Sequence, residues 1–320
     1  MITIKDIAKE AGVSPTTVSR VINHVPNKVS DEKRKQIQAL IEKYDFVPNP
    51  SARSLIVNES RIIAILQREP DSLFHSRMRL YMLKELIGLI QEKGYLPAVY
   101  NIDGSNDMDM LEKFNVDGAI LLGDFDNIAE ELTMQDYPVV FTDSYSSLRL
   151  CSNVGVDDYK AGMLAAEYML GKKCCRFVFL ENEAYSAAQQ DRQLEGFCDV
   201  ISRTYDLSAI CRLSLEGLRQ SAGKLDAETG VFAHSINDAF ICTTGICPDS
   251  MLICFDAADS GAAMPFPMIV QDITKKAVAA TDILWKQIHQ SSGIMQRLIM
   301  DVTVSGSEDY GVGLIDCAPW

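Results

Sequence analysis

Thr3-Ile4-Lys5-Asp6-Ile7-Ala8-Lys9-Glu10-Ala11-Gly12-Val13-Ser14-Pro15-Thr16-Thr17-Val18-Ser19-Arg20-Val21-Ile22-Asn23 is the stretch that decides the N-terminal fold. Thr3 is suited to cap a helix, and Asp6 three residues later approximates a capping box. Ile4, Ile7, Ala8 and Ala11 follow at helical spacing and form one apolar face. Gly12 ends that helix, and Val13 can pack beneath the turn. Ser14 supplies a fresh N-cap, and Pro15 fits the first helical position, where its missing N–H is not needed. Val18, Val21 and Ile22 turn inward. Thr16, Thr17, Ser19, Arg20 and Asn23 are left on outward or flanking positions.

Two short helices joined by a tight glycine turn, the second with a small polar outer face, form a helix-turn-helix suited to a DNA major groove. Arg20 can reach the O6 and N7 of guanine, and the Thr16 methyl or hydroxyl can meet thymine or a neighbouring base edge. Ser14, Thr17, Ser19 and the helix N-terminus are better placed for phosphate. Thr3 and Pro15 complete the candidate contacts of this head. A third helix is expected from Ser30, with Asp31 and Glu32 in its first turn and an inward stripe of Ile37, Leu40, Ile41 and Tyr44. Phe46-Val47-Pro48-Asn49-Pro50 is an extended, proline-stiffened linker, after which Asn49 and Pro50 can start a short helix through Leu55.

Composition is compatible with this head. The chain of 320 residues carries a net charge of −14, which taken whole argues against a nucleic-acid binder. The charge is unevenly spread, however. Residues 1–60 hold nine Lys/Arg and seven Asp/Glu, a net of +2, while the other 260 residues hold 21 and 37, a net of −16. A weakly basic head on an acidic body sets its cations against phosphate while the body resists wrapping DNA nonspecifically. At 47% hydrophobic and 23% charged the chain reads as globular, with no apolar run of membrane-spanning length and charged residues where a signal peptide would be apolar. A cytoplasmic location with no membrane partner is therefore expected. The nine cysteines are irregularly spaced, with Cys174 and Cys175 adjacent and no CxxC, and the four histidines lack ligand spacing. No metal site and no cofactor are expected.

Ile4 to Ala8, Ala11 to Ser14, Thr17 to Asn23, and Val47-Pro48-Asn49-Pro50-Ser51-Ala52-Arg53-Ser54-Leu55 closely resemble the lactose-repressor (LacI/GalR) family over residues 3–66. The resemblance implies a hinge helix that orders on the operator, with Ser51, Arg53 and Leu55 joining the DNA contacts. It also implies that two hinges, one per subunit, open the minor groove while the leucine matching Leu55 wedges into the central base step. An apolar wedge of that kind partly unstacks the step and kinks the duplex.

From Arg61 onward, strand-sized apolar runs alternate with helical patterns. Ile62–Leu66, Leu96–Tyr100, Gly118–Leu122 and Pro138–Thr142 form one set. Arg176–Leu180, Ala209–Leu213, Gly230–Ala233 and Leu252–Phe255 form a second. The fold class expected is therefore α/β: an N-terminal all-α helix-turn-helix head and a two-lobed periplasmic-binding-protein-like core of doubly wound parallel sheets. The expected divisions are residues 1–47 for the head, 48–60 for the hinge helix and linker, and 61–320 for an effector-binding and dimerisation core. Asp117 to Leu121, Pro138 to Val140 with Asp143, Val156-Asp157 with Gly162, Cys254-Phe255-Asp256, and Pro267 with Gln271-Asp272 carry the resemblance into the core. They imply a cleft holding Phe74 and Asp143 from the first lobe and Asp256 and Gln271 from the second. An Asp or Gln at a strand end can hold sugar-like hydroxyls beside an aromatic ring.

Two departures from the family pattern bear on the ligand. Gln193 stands where the family has Arg three residues before the Gly-Phe of Gly196-Phe197, and Arg192 is one position off. Asn237-Asp238 is followed by only nine residues before Pro248, so the helix it heads is shortened or recast. Arg192, Gln193 and Asn237 complete the candidate effector residues.

The function expected is a repressor of a carbohydrate-utilisation operon, binding a palindromic operator as a homodimer under control of a sugar or sugar phosphate. The alternatives are a DNA-binding regulator whose core senses no small molecule, or a protein, and a solute-binding protein for sugars. An enzyme is disfavoured by the lack of a P-loop, HExxH or GxSxG motif. No leucine heptads follow Gly311, so no tetramerising tail is expected.

Overall fold

The computed structural model describes residues 2–22, 26, 28–46, 60–68, 77–102, 111, 113–123, 125, 128, 137–143, 151–183, 185–221, 225–247, 250–255, 265–290 and 295–305. The chain divides into two units, Met1–Ser60 and Arg61–Trp320.

In the first unit, helix α1 (Ile4–Ala11) is closed at its start by a full capping box between Thr3 and Asp6. At its end Gly12 takes φ +63°, ψ +40°, the left-handed conformation that a side chain at this turn would strain. Helix α2 (Pro15–Ile22) starts where Ser14 Oγ accepts from Thr17 N at 3.2 Å. Helix α3 (Asp31–Lys43) closes the trio, and Ile7, Ala8, Ala11, Val18, Val21 and Ile37 form one buried cluster. Polar ties surround that small core. Lys33 Nζ donates to the Ala11 carbonyl at 3.0 Å, while Glu10 accepts from both Lys43 and Tyr44.

The second unit opens with β1 (Ile62–Gln67), α4 (Arg77–Glu92), β2 (Leu96–Asn101), β3 (Gly118–Leu122), β4 (Val139–Thr142) and β5 (Ser152–Val156). It continues through α5 (Asp158–Gly171), β6 (Arg176–Glu181), α6 (Ala187–Ile201), β7 (Ile210–Ser214) and α7 (Leu215–Ser221). Then come β8 (Thr229–Ala233), α8 (Ile236–Ile241), β9 (Met251–Phe255), β10 (Met268–Gln271), α9 (Ile273–Gln290), β11 (Arg297–Met300) and β12 (Val302–Val304). The strands form two six-stranded sheets, in the orders β11-β5-β4-β3-β1-β2 and β12-β10-β9-β8-β6-β7. The first is parallel throughout. The second is parallel except for β12, which runs antiparallel to β10.

The two sheets share one winding, in which the first strand of each lobe lies between the second and the third. That reversal is the switch point beside which ligands bind in open α/β sheets, at the carboxyl ends of the strands. Both faces of each sheet are covered, which is why strands such as β3 are buried at every position. Three stretches cross between lobes. After β5 the chain enters α5, which packs on α6 and on the second sheet. After β10 it enters α9, which packs on α4 and on β3, β4 and β5 of the first. Asp301 alone separates β11 in one sheet from β12 in the other.

Helices α5 and α6 meet backbone to backbone at Gly162 and Gly196. A Cβ placed on Gly162 would stand 1.8 Å from the Gln193 carbonyl oxygen, and one on Gly196 2.0 Å from that of Tyr159. No larger residue fits either position without driving the helices apart.

Candidate nucleic-acid interface and interlobe cleft

In the head, Thr3, Ser14, Pro15, Thr16 and Arg20 are exposed, while Thr17 and Ser19 are half-buried along the outer side of α2. The Ser14 and Thr17 hydroxyls lie 2.9 Å apart, at the N-terminus of α2. Helix α2 is anchored by Val18 and Val21, both fully buried, so its outer face is held rigidly by the packing beneath it. The result is an uncharged N-terminal rim followed by one guanidinium a turn and a half further along. That surface can follow a phosphate backbone with hydroxyls and reach a base edge with Arg20. Asn23, Ser51, Arg53 and Leu55 lie outside the described residues.

In the second unit the candidate residues fall at the carboxyl ends of strands. Asp143 follows β4 with φ +59°, a left-handed backbone that Asp tolerates better than most residues. Gln271 ends β10 and is buried. Both are bonded to one group that the sequence did not single out, Lys276 on α9. The Lys276 ammonium donates to both oxygens of the Asp143 carboxylate and, at 3.1 Å, to Gln271 Oε1. Three donors with three acceptors explain how a lysine side chain can be only 2% exposed. A second ion pair joins the other two crossings, between Lys160 on α5 and Asp301.

The departures at positions 192 and 193 have a definite geometry. Gln193 is fully buried between α5 and α6, and its Nε2 donates at 2.7 Å to Asp158 Oδ1, which also accepts from Gln189 at 3.2 Å. Arg192 points outward, paired with Glu195 and set over the Tyr159 ring at 5.4 Å. Asn237 is half-buried in α8. That helix has only six residues before it passes into a π-helical turn at Cys242–Ile246, so it is recast rather than merely cut short. Phe74 and Asp256 lie outside the described residues.

The second lobe's strand ends hold further polar groups that sequence reasoning missed. Asn182, just after β6, donates to Asp238 at 2.6 Å. His234, just after β8, is enclosed by Phe179, Phe232 and Tyr185. Burial holds its imidazole down to about 4, against a smaller opposing effect of the Leu180 carbonyl. Among the described residues no set of three His, Cys, Asp or Glu side chains is arranged to hold a metal, and no helix is long and apolar enough to cross a membrane. None of the eight described cysteines is joined in a disulfide.

Comparison with known proteins agrees with this architecture. Residues 3–49 match the bacterial regulatory proteins of the lacI family. The HTH-type transcriptional regulator DegA of Bacillus subtilis (strain 168) is 27% identical over 258 residues, covering 75% of this chain and 74% of DegA. The ribose operon repressor of the same organism is 33% identical over 197 residues, covering 60% of this chain and 58% of the repressor. Among solved structures, the lac repressor dimer bound to operator and the anti-inducer ONPF superposes with a TM-score of 0.78 at 17% identity, covering 95% of this chain and 97% of the repressor. Capped helices, twin sheets with one winding and these matches converge: residues 3–49 form a helix-turn-helix head that matches the lacI family of bacterial regulatory proteins, and the rest of the chain has a LacI-like core fold.

Proposed function

We infer that this regulator is a repressor of a carbohydrate-utilisation operon, binding a palindromic operator as a homodimer whose affinity a small molecule adjusts. The observation that carries the DNA half is the outer face of α2, where Arg20 stands exposed over a buried Val18–Val21 anchor. Thr3, Ser14, Pro15, Thr17 and Ser19 serve the phosphates, and Thr16, Arg20 and Asn23 the bases. Ser51, Arg53 and Leu55 form the minor-groove part of the same reader. Two heads related by a two-fold axis demand a two-fold site. For the effector, a sugar or sugar phosphate in the interlobe cleft is supported by the relative that is named a ribose operon repressor. Such a molecule acts only through its differential affinity for the DNA-competent state.

A selection from randomised duplexes, followed by gel shift, tests the DNA half. The enriched site should be palindromic, and Arg20→Ala should weaken it by about 1–3 kcal/mol while nonspecific binding hardly changes. Equal binding by the wild type and the variant would defeat the assigned readout.

A second reading, a regulator whose core answers to no small molecule, is favoured by one observation. Asp143 and Gln271, the hydroxyl-holding candidates from the two lobes, are already engaged by Lys276.

A further inference from the structure

We propose that Lys276 is an internal stand-in for a ligand, a positioning residue that bridges the two lobes between the carboxyl ends of β4 and β10. The inference deepens the reading of the core as a switch, but the bridge itself can be tested without that reading.

The geometry has three parts. First, Lys276 lies on the crossing segment: α9 leaves the second lobe at Gln271 and packs on the first. Its ammonium therefore sits beside the chain's passage from one lobe to the other. Second, the two partners come from opposite sheets, Asp143 from the end of β4 and Gln271 from the end of β10. A hydroxylated molecule bound between the lobes would be gripped by one carboxylate and one amide oxygen in the same manner. Third, the lysine is expensive where it stands. Ile273, Lys276, Ala277, Ala280, Ile283 and Leu284 form the buried stripe of α9, and an apolar side chain at position 276 would continue it. An ammonium there persists only because every N–H has an acceptor, and separating the lobes would strip those acceptors away. The bond is thus conditional on closure.

Two consequences follow. Lobe closure has a component that needs no effector. A molecule that uses Asp143 and Gln271 must also displace the ammonium, so simple neutral polyols are disadvantaged against ligands that give Lys276 a replacement acceptor.

The full chain, with Lys276→Met, Asp143→Asn and the double variant, provides the test by hydrogen exchange. Methionine keeps the length of the side chain without the charge, and asparagine keeps the shape of the carboxylate. Each single change should speed exchange by about a hundredfold or more at the ends of β4 and β10 and the first turn of α9, since removing one partner of a buried charge pair leaves the other uncompensated. Exchange inside β6 and β8 should stay unchanged, which a general loss of stability would not allow. The double variant should exchange no faster than the faster-exchanging single, the mark of a shared interaction. If Lys276→Met leaves exchange at these ends unchanged or slows it, or if the double variant adds the two effects, the bridge is refuted.

Operator affinity of the same proteins separates this result from the switch reading. Matched affinity changes in both singles, without addition in the double, support the bridge and its link to the head. Loosened strand ends with unaltered operator affinity leave the bridge standing and count against the core as a switch.

Discussion

Gly162→Ala should destabilise the core far more than the addition of one methyl ordinarily does. The new Cβ would lie 1.8 Å from the Gln193 carbonyl oxygen, 2.7 Å from its carbon and 2.9 Å from Phe197 N. All three are backbone atoms of the partner helix, so no rotamer change can relieve the contact. Helices α5 and α6 would have to separate by more than an ångström, loosening the packing of Ala165, Ala166, Phe197 and Val200 and lengthening the Gln193–Asp158 bond. Overpacking of a tight core costs about 1–3 kcal/mol, and a contact with backbone belongs at or above the top of that range. For a unit of this size, about 3 kcal/mol corresponds to a fall in Tm of about 6–12 °C. Gly171, at the end of the same helix, is the control: a Cβ there meets nothing within 4 Å, and its φ is not in the left-handed region. Gly171→Ala should be neutral or stabilising by up to about 1 kcal/mol. Thermal and denaturant unfolding of the three proteins measures both. A Gly162→Ala protein within about 1 °C of wild type would show that the helices have slack that the close approach denies, and the reasoning would fail.

Two further outcomes can be checked independently. His234, buried and held down to about 4, is neutral in the folded state, whereas the unfolded chain titrates near its ordinary value of 6.5. The unfolded state binds the extra proton as pH falls, so the stability this group preserves is intact above about 6.5 and is lost progressively down to about 4, reaching about 3 kcal/mol. Unfolding measured against pH should therefore be flatter for His234→Leu than for wild type across that window, and parallel curves would contradict the assignment. In the head, Thr3→Ala removes a hydroxyl that takes part in the capping box. At about 1 kcal/mol per N-cap, exchange of the α1 amides should quicken about fivefold; unchanged rates would mean the cap contributes nothing.

The head was legible because every local signal agreed: capping box, glycine stop, proline start and apolar periodicity all lie within residues 3–22, and the packed trio of helices follows from them. Strands β1–β4 and β6–β9 announced themselves as apolar runs, within a residue or two of their ends. β5, β10, β11 and β12 did not. Ser152-Asn153-Val154-Gly155-Val156 is too polar to stand out, and its burial comes from β4 on one side and β11, about 140 residues later in the chain, on the other. β12 has only three residues and owes its existence to pairing with β10.

The cleft was harder to read for a related reason. Asp143 and Gln271 stood out as polar residues at strand ends, but their common partner did not, because a lysine inside an apolar helical stripe also suits a side chain reaching outward along the surface. Gln193 shows the reverse. It is an effector candidate by resemblance, and what the sequence does not reveal is its bond to Asp158 inside a helix pair whose closeness depends on glycines that periodicity treats as neutral.

The lobes are not contiguous in the chain, and this sets a timetable for synthesis. The first sheet takes in β11 at residues 297–300 beside β5 at 152–156, and it is overlaid by α9, so it stays unfinished while the second lobe is being made. At about 5–20 residues per second a ribosome needs about 7–30 s to pass from one strand to the other. Through that interval the edge of β5 and the face that α9 will cover are open to water and to other nascent chains. Pairing across such a separation in sequence is slow to nucleate. A chain stopped before residue 297 would thus leave both lobes incomplete, the first without β11 and the second without β12.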